Sequence, residues 1–478
     1  MVLLDDEESP QATTGRKCHV PARYVFAGVS TLGALLNVVL KSSLPVAITA
    51  MVRKNASNAS GEGDGKFDWD EVTQSYVLTA GSYGMLCSCL AGARLAELWS
   101  PKMALGLANA LGGALYLLLP VTAAWSVRAL IALQALGGLL GGPVIPINMG
   151  MFASWFPPEE RQQLGGIVFS STILAVIISS AMTGKIVDTL GWPFIFYLFP
   201  SLVIAWSALW MIFVFDSPET HPRISEEERS YIIKKTKKDH VQTASKLPWK
   251  EMLLSRAVWA YIIMGIPGVW VMSTLGMALP TYMTNILGYT TTQAGYFSAI
   301  PQLFSWISTI TFGFVSQWLR RKQYLGHLLS YHIFNGISTL GTAAALFSIL
   351  LVDRSAAGVI SLVTLAMAFS GAYMGGSQLN HMDLSVNYTG TLAGLSTMTM
   401  GVVSILAPTV TGLLTNNKQT LSAWNYVFCV AGGVNIIPFI IYLFFGSVDE
   451  QPWNTKRNEV VNNYVSVSEQ SRVPVEDN

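Results

Sequence analysis

Charge is scarce in this chain. Only 12% of its 478 residues are Asp, Glu, Lys or Arg, about half the share found in an ordinary water-soluble domain, while 51% are hydrophobic. A normal soluble globule is thereby excluded. The formal net charge is +1, so there is no strongly basic surface with which to hold a nucleic acid. Cysteine is sparse too: Cys18, Cys87, Cys89 and Cys429 lie in or beside apolar stretches without a CxxC pair, which points to packing rather than to a zinc site or a disulfide framework. HExxH, GxSxG and phosphate-loop patterns are missing, and with them the common hydrolytic and nucleotide-binding chemistries. The expectation is a chain that is not an enzyme and holds no resident cofactor or metal. The stretch from Met1 to Lys17 is polar and acidic, with Asp5, Asp6, Glu7 and Glu8. It has no short apolar region ending in a small-residue cleavage site, so the first apolar segment should insert uncleaved.

Long apolar runs are abundant. A helix needs roughly 20 mostly apolar residues to cross a bilayer, and twelve such windows fall near residues 24–51, 75–96, 103–124, 127–151, 165–187, 193–215, 258–284, 294–318, 326–352, 357–379, 390–415 and 424–446. They carry Gly and Pro at densities that membrane helices accept because neighbouring helices satisfy the freed backbone groups. One long hydrophilic loop, Asp216 to Ala257, carries Arg223, Arg229, Lys234, Lys235, Lys237, Lys238, Lys246, Lys250 and Arg256. The positive-inside rule places it in the cytoplasm. The short loop with Arg320, Arg321 and Lys322 falls on the same side, and both termini follow. The reading is an all-α membrane protein of twelve transmembrane helices in two six-helix bundles. Its parts are a cytoplasmic N-terminal tail (1–20), a first bundle (21–215) with a luminal or extracellular loop (52–74), a cytoplasmic linker (216–257), a second bundle (258–446) and a cytoplasmic tail (447–478). Thr73-Gln74 before the second window is echoed by Thr292-Gln293 before the eighth, and Gly92 by Gly313, as in a parallel repeat whose halves enclose a midplane site. The sequons at Asn55 and Asn58 lie in the first loop and are expected to be glycosylated. The third, at Asn387, falls on the cytosolic side and should be unused.

An ionisable residue inside a bilayer costs several kcal/mol unless it is paired or wetted, so each is a functional candidate. Lys41 lies in the first window, where a cation could receive an anionic solute; snorkelling to an interface is the alternative. Asn380-His381-Met382-Asp383 closes the tenth window, where His381 could relay protons and Asp383 hold a cation, with capping or gating as the other reading. Arg128 and Asp188 read as interface residues. Gly137-Gly138 and Gly141-Gly142 put small residues at four-residue spacing on the fourth window, where another backbone can approach closely. Uncharged polar side chains that could line a path are Tyr83, Gln134, Asn148, Tyr282, Gln302 and Gln378; each can equally be an interhelical hydrogen-bonding group.

Several segments resemble the major facilitator superfamily, and within it the anion:cation symporter branch of sialin, vesicular glutamate and sodium-phosphate transporters. They are Phe67-Asp68-Trp69-Asp70-Glu71, Trp155-Phe156-Pro157-Pro158-Glu159-Glu160-Arg161, Gly191-Trp192-Pro193-Phe194, Asp216-Ser217-Pro218, His221-Pro222-Arg223, Leu279-Pro280-Thr281-Tyr282, Asn380-His381-Met382-Asp383 and Gln451-Pro452-Trp453. Gly92-Ala93-Arg94-Leu95-Ala96-Glu97 is similar to the superfamily signature between spans two and three, with Leu98 in place of the usual basic residue, and makes Arg94 and Glu97 gating candidates. The resemblance implies the major facilitator fold and alternating-access symport of a small anion, phosphate or organic, with Na+ or H+ as the co-transported ion. The implied setting is a monomer in lipid, in a plasma, lysosomal or vesicular membrane. The branch's first-span arginine aligns with Lys41, which keeps the charge but loses the bidentate fork. Its fourth-span arginine, glutamate and histidine align with Gln134, Gly141 and Met149. Those losses keep open a carrier of a neutral solute and a non-transporting regulatory protein.

Overall fold

A computed structural model of the chain describes residues 20–52, 67–236, 247–289, 291–352, 355–415 and 420–454. The sequons at Asn55 and Asn58, and Cys18, lie outside them. The described residues are nearly all helical, apart from a single bridge between Val52 and Phe67. In the first half the helices are α1 (Ala22–Met51), α2 (Glu71–Leu98), α3 (Pro101–Leu117), α4 (Leu119–Trp125), α5 (Val127–Gly141), α6 (Val144–Trp155), α7 (Arg161–Leu190) and α8 (Trp192–Phe213). The linker holds α9 (Glu226–Thr236) and α10 (Trp249–Leu254). In the second half follow α11 (Arg256–Met264), α12 (Ile266–Asn285), α13 (Thr291–Arg321), α14 (His327–Gly336), α15 (Thr342–Ile349), α16 (Ala356–Ser370), α17 (His381–Leu384), α18 (Thr389–Thr415) and α19 (Leu421–Phe445). Among the described residues ten stretches are long and apolar enough to cross a membrane, and eleven if the pair α3 and α4, bent by 44°, is one span. The remaining window is filled by α13, a 31-residue helix whose polar Gln302, Ser305, Ser308 and Thr309 lower its hydropathy.

Local chemistry sets the breaks. Asp70, Ser100, Ser126 and Thr420 accept a backbone N–H at the starts of α2, α3, α5 and α19, satisfying donors that have no partner in the first turn. Gly191 turns α7 into α8 at φ 82°, a conformation that a side chain disfavours. The glycines of the fourth span pack: a side chain at Gly138 would run into the Gly81 backbone of α2, and one at Gly142 into Ser88 and Met85, so the two backbones approach closely.

The ninth and tenth spans depart from regular helix. Ile337–Gly341 between α14 and α15 is a π-helical turn, and α16 gives way to 3-10 turns at Gly371–Met374 and Ser377–Leu379. Window 357–379 is therefore broken where the sequence suggested a continuous helix. The loosened backbone is held from α14 and α13: Asn335 Nδ2 donates to Ser377 Oγ (2.9 Å) and its Oδ1 accepts from Ser377 N (3.0 Å), while Ser316 Oγ donates to Gly375 O (2.6 Å). Irregular backbone survives at membrane depth when protein satisfies it in this way.

The first half is packed around two apolar clusters and the second chiefly around one of Val271, Leu275, Tyr282, Leu346, Val363, Trp424 and Phe428. The halves meet through α7 on α13 and through α2 and α6 on α18. The closest approaches lie toward the face that carries the linker: Gly166 stands beside Gly313, Gly150 beside Gly390, and Gly394 against Leu90 and Ala93. Toward the opposite face the same helices expose Tyr76 and Tyr83 of α2, Tyr296 and Phe304 of α13, and Leu413 of α18.

Candidate functional site

Lys41 sits 19 residues into α1, about 28 Å along it at 1.5 Å per residue. Its side chain is exposed, although the residue is flanked by buried Leu40 and Ser43. No acidic partner lies within 4.0 Å among the described residues. The ammonium lies over Gly141 of α5, so close that a Cβ there would be 2.9 Å from Nζ. Glycine at 141 therefore makes the room that Lys41 occupies. Beside it is a small cavity of about 20 Å³, lined by Asn37, Asn109, Tyr116, Gly137 and Gly141, about the size one water needs. A cation placed this way, with no acidic partner among the described residues, has the chemistry to receive an anion.

The second constellation closes the linker face. Glu97, at the end of α2, pairs with Arg94 (3.0 Å) and reaches across to the first turn of α18, accepting from Thr391 N (2.7 Å) and Thr391 Oγ (2.6 Å). A carboxylate at a helix N-terminus meets unsatisfied N–H groups and the positive end of the dipole. On the other side, Asp383 of α17 accepts from the Tyr331 hydroxyl (2.7 Å) and from Arg161 Nη1 of α7 (3.4 Å), with His327 Nε2 at 3.5 Å. Gln162 Nε2 donates to Tyr331 and to Gly376 O (3.3 Å each). Arg161 is 5% exposed, so this ion pair is largely shielded from water. Both contacts join residues more than 200 positions apart, one from each half.

The linker is tied to the same face. Glu228 of α9 accepts from Ala22 N (2.9 Å) and Arg23 N (3.2 Å), capping α1, and Arg23 bridges Glu228 and Glu160 (3.2 and 2.9 Å). Lys235 reaches Glu159 (2.6 Å). Burial, the largest single influence, raises the Glu159 carboxyl, but the hydrogen bond and charge of Lys235, a backbone hydrogen bond and the charge of Arg161 together outweigh it and hold the group below its usual range.

Of the residues expected from sequence, the structure brings Arg94, Glu97 and Asp383 to this closed face and sets Lys41 apart from it. His381 is beside Asp383 but is fully buried, with its ring 5.2 Å from Tyr261 and neither ring nitrogen hydrogen-bonded. Burial pushes its imidazole down to about 3, so it is neutral at ordinary pH. Tyr83 is exposed. Gln134 is 3% exposed with Nε2 unpartnered, and Asn148 donates to Val144 O (3.2 Å). Tyr282 is 1% exposed and packs edge-on against Trp424 and Phe428. None of these four lines the cavity beside Lys41. Sequence reasoning missed Tyr331, Gln162, His327 and Thr391, and cited Arg161 only within a motif. The one available signal was position, since all but Tyr331, midway along α14, stand at or near a helix end.

The model of the Major Facilitator Superfamily matches residues 30–408. Human (Homo sapiens) sialin is 29% identical over 466 residues, 93% of this chain and 93% of its own. A putative inorganic phosphate cotransporter of Drosophila melanogaster is 28% identical over 477 residues (95% and 89%), and vesicular glutamate transporter 2 of Homo sapiens 28% over 441 (91% and 75%). Among solved structures, the proton:xylose symporter XylE bound to 6-bromo-6-deoxy-D-glucose superposes with a TM-score of 0.67 at 13% identity, over 91% of this chain and 98% of that one. An outward-facing bacterial homologue of the iron transporter ferroportin gives 0.63 at 13%, over 89% and 99%.

Proposed function

This chain belongs to the Major Facilitator Superfamily, and we propose that it carries a small anion across a membrane by alternating access, with Lys41 receiving the negative charge. The observation that carries this reading is the Lys41 ammonium, exposed yet deep along α1 and with no acidic partner among the described residues. The names of the relatives support the substrate class, since two of them specify glutamate and inorganic phosphate. Assigning the linker face to the cytoplasm, as its basic residues favour, makes the structure the state closed to the cytosol; on this reading both termini and the sequon at Asn387 belong to that side, and the sequons at Asn55 and Asn58 to the opposite one. The membrane is the plasma membrane or that of a lysosome or vesicle.

Transport is coupled to a cation, and sodium suits this chain better than the proton. Gly141, which faces Lys41, offers no titratable group, and His381 is held neutral by burial. Rocking follows from binding only if solute and ion have different affinities for the two states. Uptake of phosphate, glutamate, sialate and urate into proteoliposomes, with and without a sodium gradient, tests the proposal. At least one anion should accumulate in a sodium-dependent way and lose that uptake in Lys41→Ala; uptake that Lys41→Ala leaves intact would remove Lys41 from the role.

A further inference from the structure

Where the halves close on the linker face they line a partly open cavity of about 220 Å³, distinct from the space around Lys41. Its walls come from three parts of the chain: Glu97 and Gly150 from the first half, Asp216 and Glu219 from the linker, and Asn387 and Gly390 from the second half. Among the described residues every ionisable side chain lining it is a carboxylate, Glu97 among them being paired with Arg94 outside the wall. Asn387 is 9% exposed and its Oδ1 has no hydrogen-bond partner. A buried amide oxygen left in that condition is costly, and only a donor can relieve it. We infer that this cavity is a binding site for a small amine or guanidinium cation.

The chemistry converges on that class. A bare metal ion is too small for the space, which is several times the share of one water in the liquid, and the carboxylates do not cluster as a metal site among the described residues. A guanidinium or alkylammonium brings only donors, matching walls of carboxylates and an unpaired amide oxygen. An anion would meet the charge of three carboxylates there.

The site also depends on conformation. Gly150 and Gly390 touch across the halves, and Glu97 is held by Thr391 of the opposite half, so parting the halves on this face separates Glu97 from Asn387. A cation that binds only the closed form stabilises it in proportion to occupancy and slows the transport cycle. This last consequence rests on the alternating-access reading; the binding itself does not.

The test uses purified full-length protein in nanodiscs, titrated with methylguanidinium chloride at constant ionic strength made up with NaCl. A saturable rise in melting temperature is expected, absent with choline chloride, which has no N–H donor. Asn387→Leu should weaken the affinity at least about 10-fold, and Asn387→Asp should tighten it. If Asn387→Leu cannot be recovered folded, Glu219→Gln is read in its place, with weakening again expected. A rise that does not saturate, that choline reproduces, or that these variants share with the wild type would overturn the site. Saturable binding that leaves anion uptake unslowed would instead count against the alternating-access reading.

Discussion

Replacing Arg161 by Gln removes the first half's contribution to the ion pair at Asp383, and the structure sets the size of the effect. Arg161 and Asp383 have side chains only 6% and 11% exposed. Removing one member of such a pair costs about 3–5 kcal/mol, because the other charge stays buried without its counter-charge. Asp383 keeps the Tyr331 hydroxyl at 2.7 Å and His327 at 3.5 Å, so the lower end, about 3 kcal/mol, applies. That energy is lost only from the form closed on the linker face, and corresponds to a shift of about two orders of magnitude between closed and open forms. The assay is labelling by a membrane-impermeant maleimide of Ser154→Cys, a position 4% exposed at the closed face, in a background without the four native cysteines. Labelling from the linker side should quicken about 100-fold in Arg161→Gln. It should fall back in Arg161→Gln with Asp383→Asn, which leaves no unpaired buried charge. Unchanged labelling in the single variant, or further acceleration in the double one, would refute the latch.

Glu97→Gln keeps the shape of the other lock but weakens its charge-assisted bonds to Thr391, and should destabilise the closed form by about 2 kcal/mol in the same labelling assay. Gly141→Glu would put a carboxylate against the Lys41 ammonium; anion binding measured by calorimetry should fall at least about 10-fold. Gly138→Leu would force α2 and α5 apart and lower the melting temperature by several degrees, as overpacking does. For His381 the sign follows from a folded value near 3 against about 6.5 in the unfolded chain. The unfolded chain takes up a proton below about pH 6.5 that the folded one refuses, so stability is full above that pH and declines as pH falls toward 3. His381→Gln should flatten that decline in thermal melts, and an undiminished acid slope would show that other groups cause it.

The spans were legible because lipid demands a long apolar run whatever the fold, and Lys41 stood out because such runs tolerate almost no charge. The break in the tenth span was harder to read: Gly375-Gly376 was visible, but what permits unwinding is Asn335, 40 residues earlier, which satisfies the freed backbone. The latch was out of reach for a similar reason. Arg161 and Asp383 each look like an ordinary charged residue at a helix end, and nothing local marks them as partners across 222 positions. Tyr282 misled in the other direction, since its hydroxyl suggested a path and its ring is packed into an apolar cluster. Glu97 could be read because its signature resembles a known one, while its partner Thr391 carried no mark beyond lying in the first turn of a helix.

The central claim is that a lone lysine deep in the helix bundle receives a transported anion. Counterflow of labelled glutamate or phosphate in proteoliposomes, compared among wild type, Lys41→Arg and Lys41→Ala, tests it most directly. The account predicts exchange in the wild type, retained in Lys41→Arg and lost in Lys41→Ala. Equal exchange in all three, or none in the wild type for either anion alongside exchange of an uncharged solute, would contradict it.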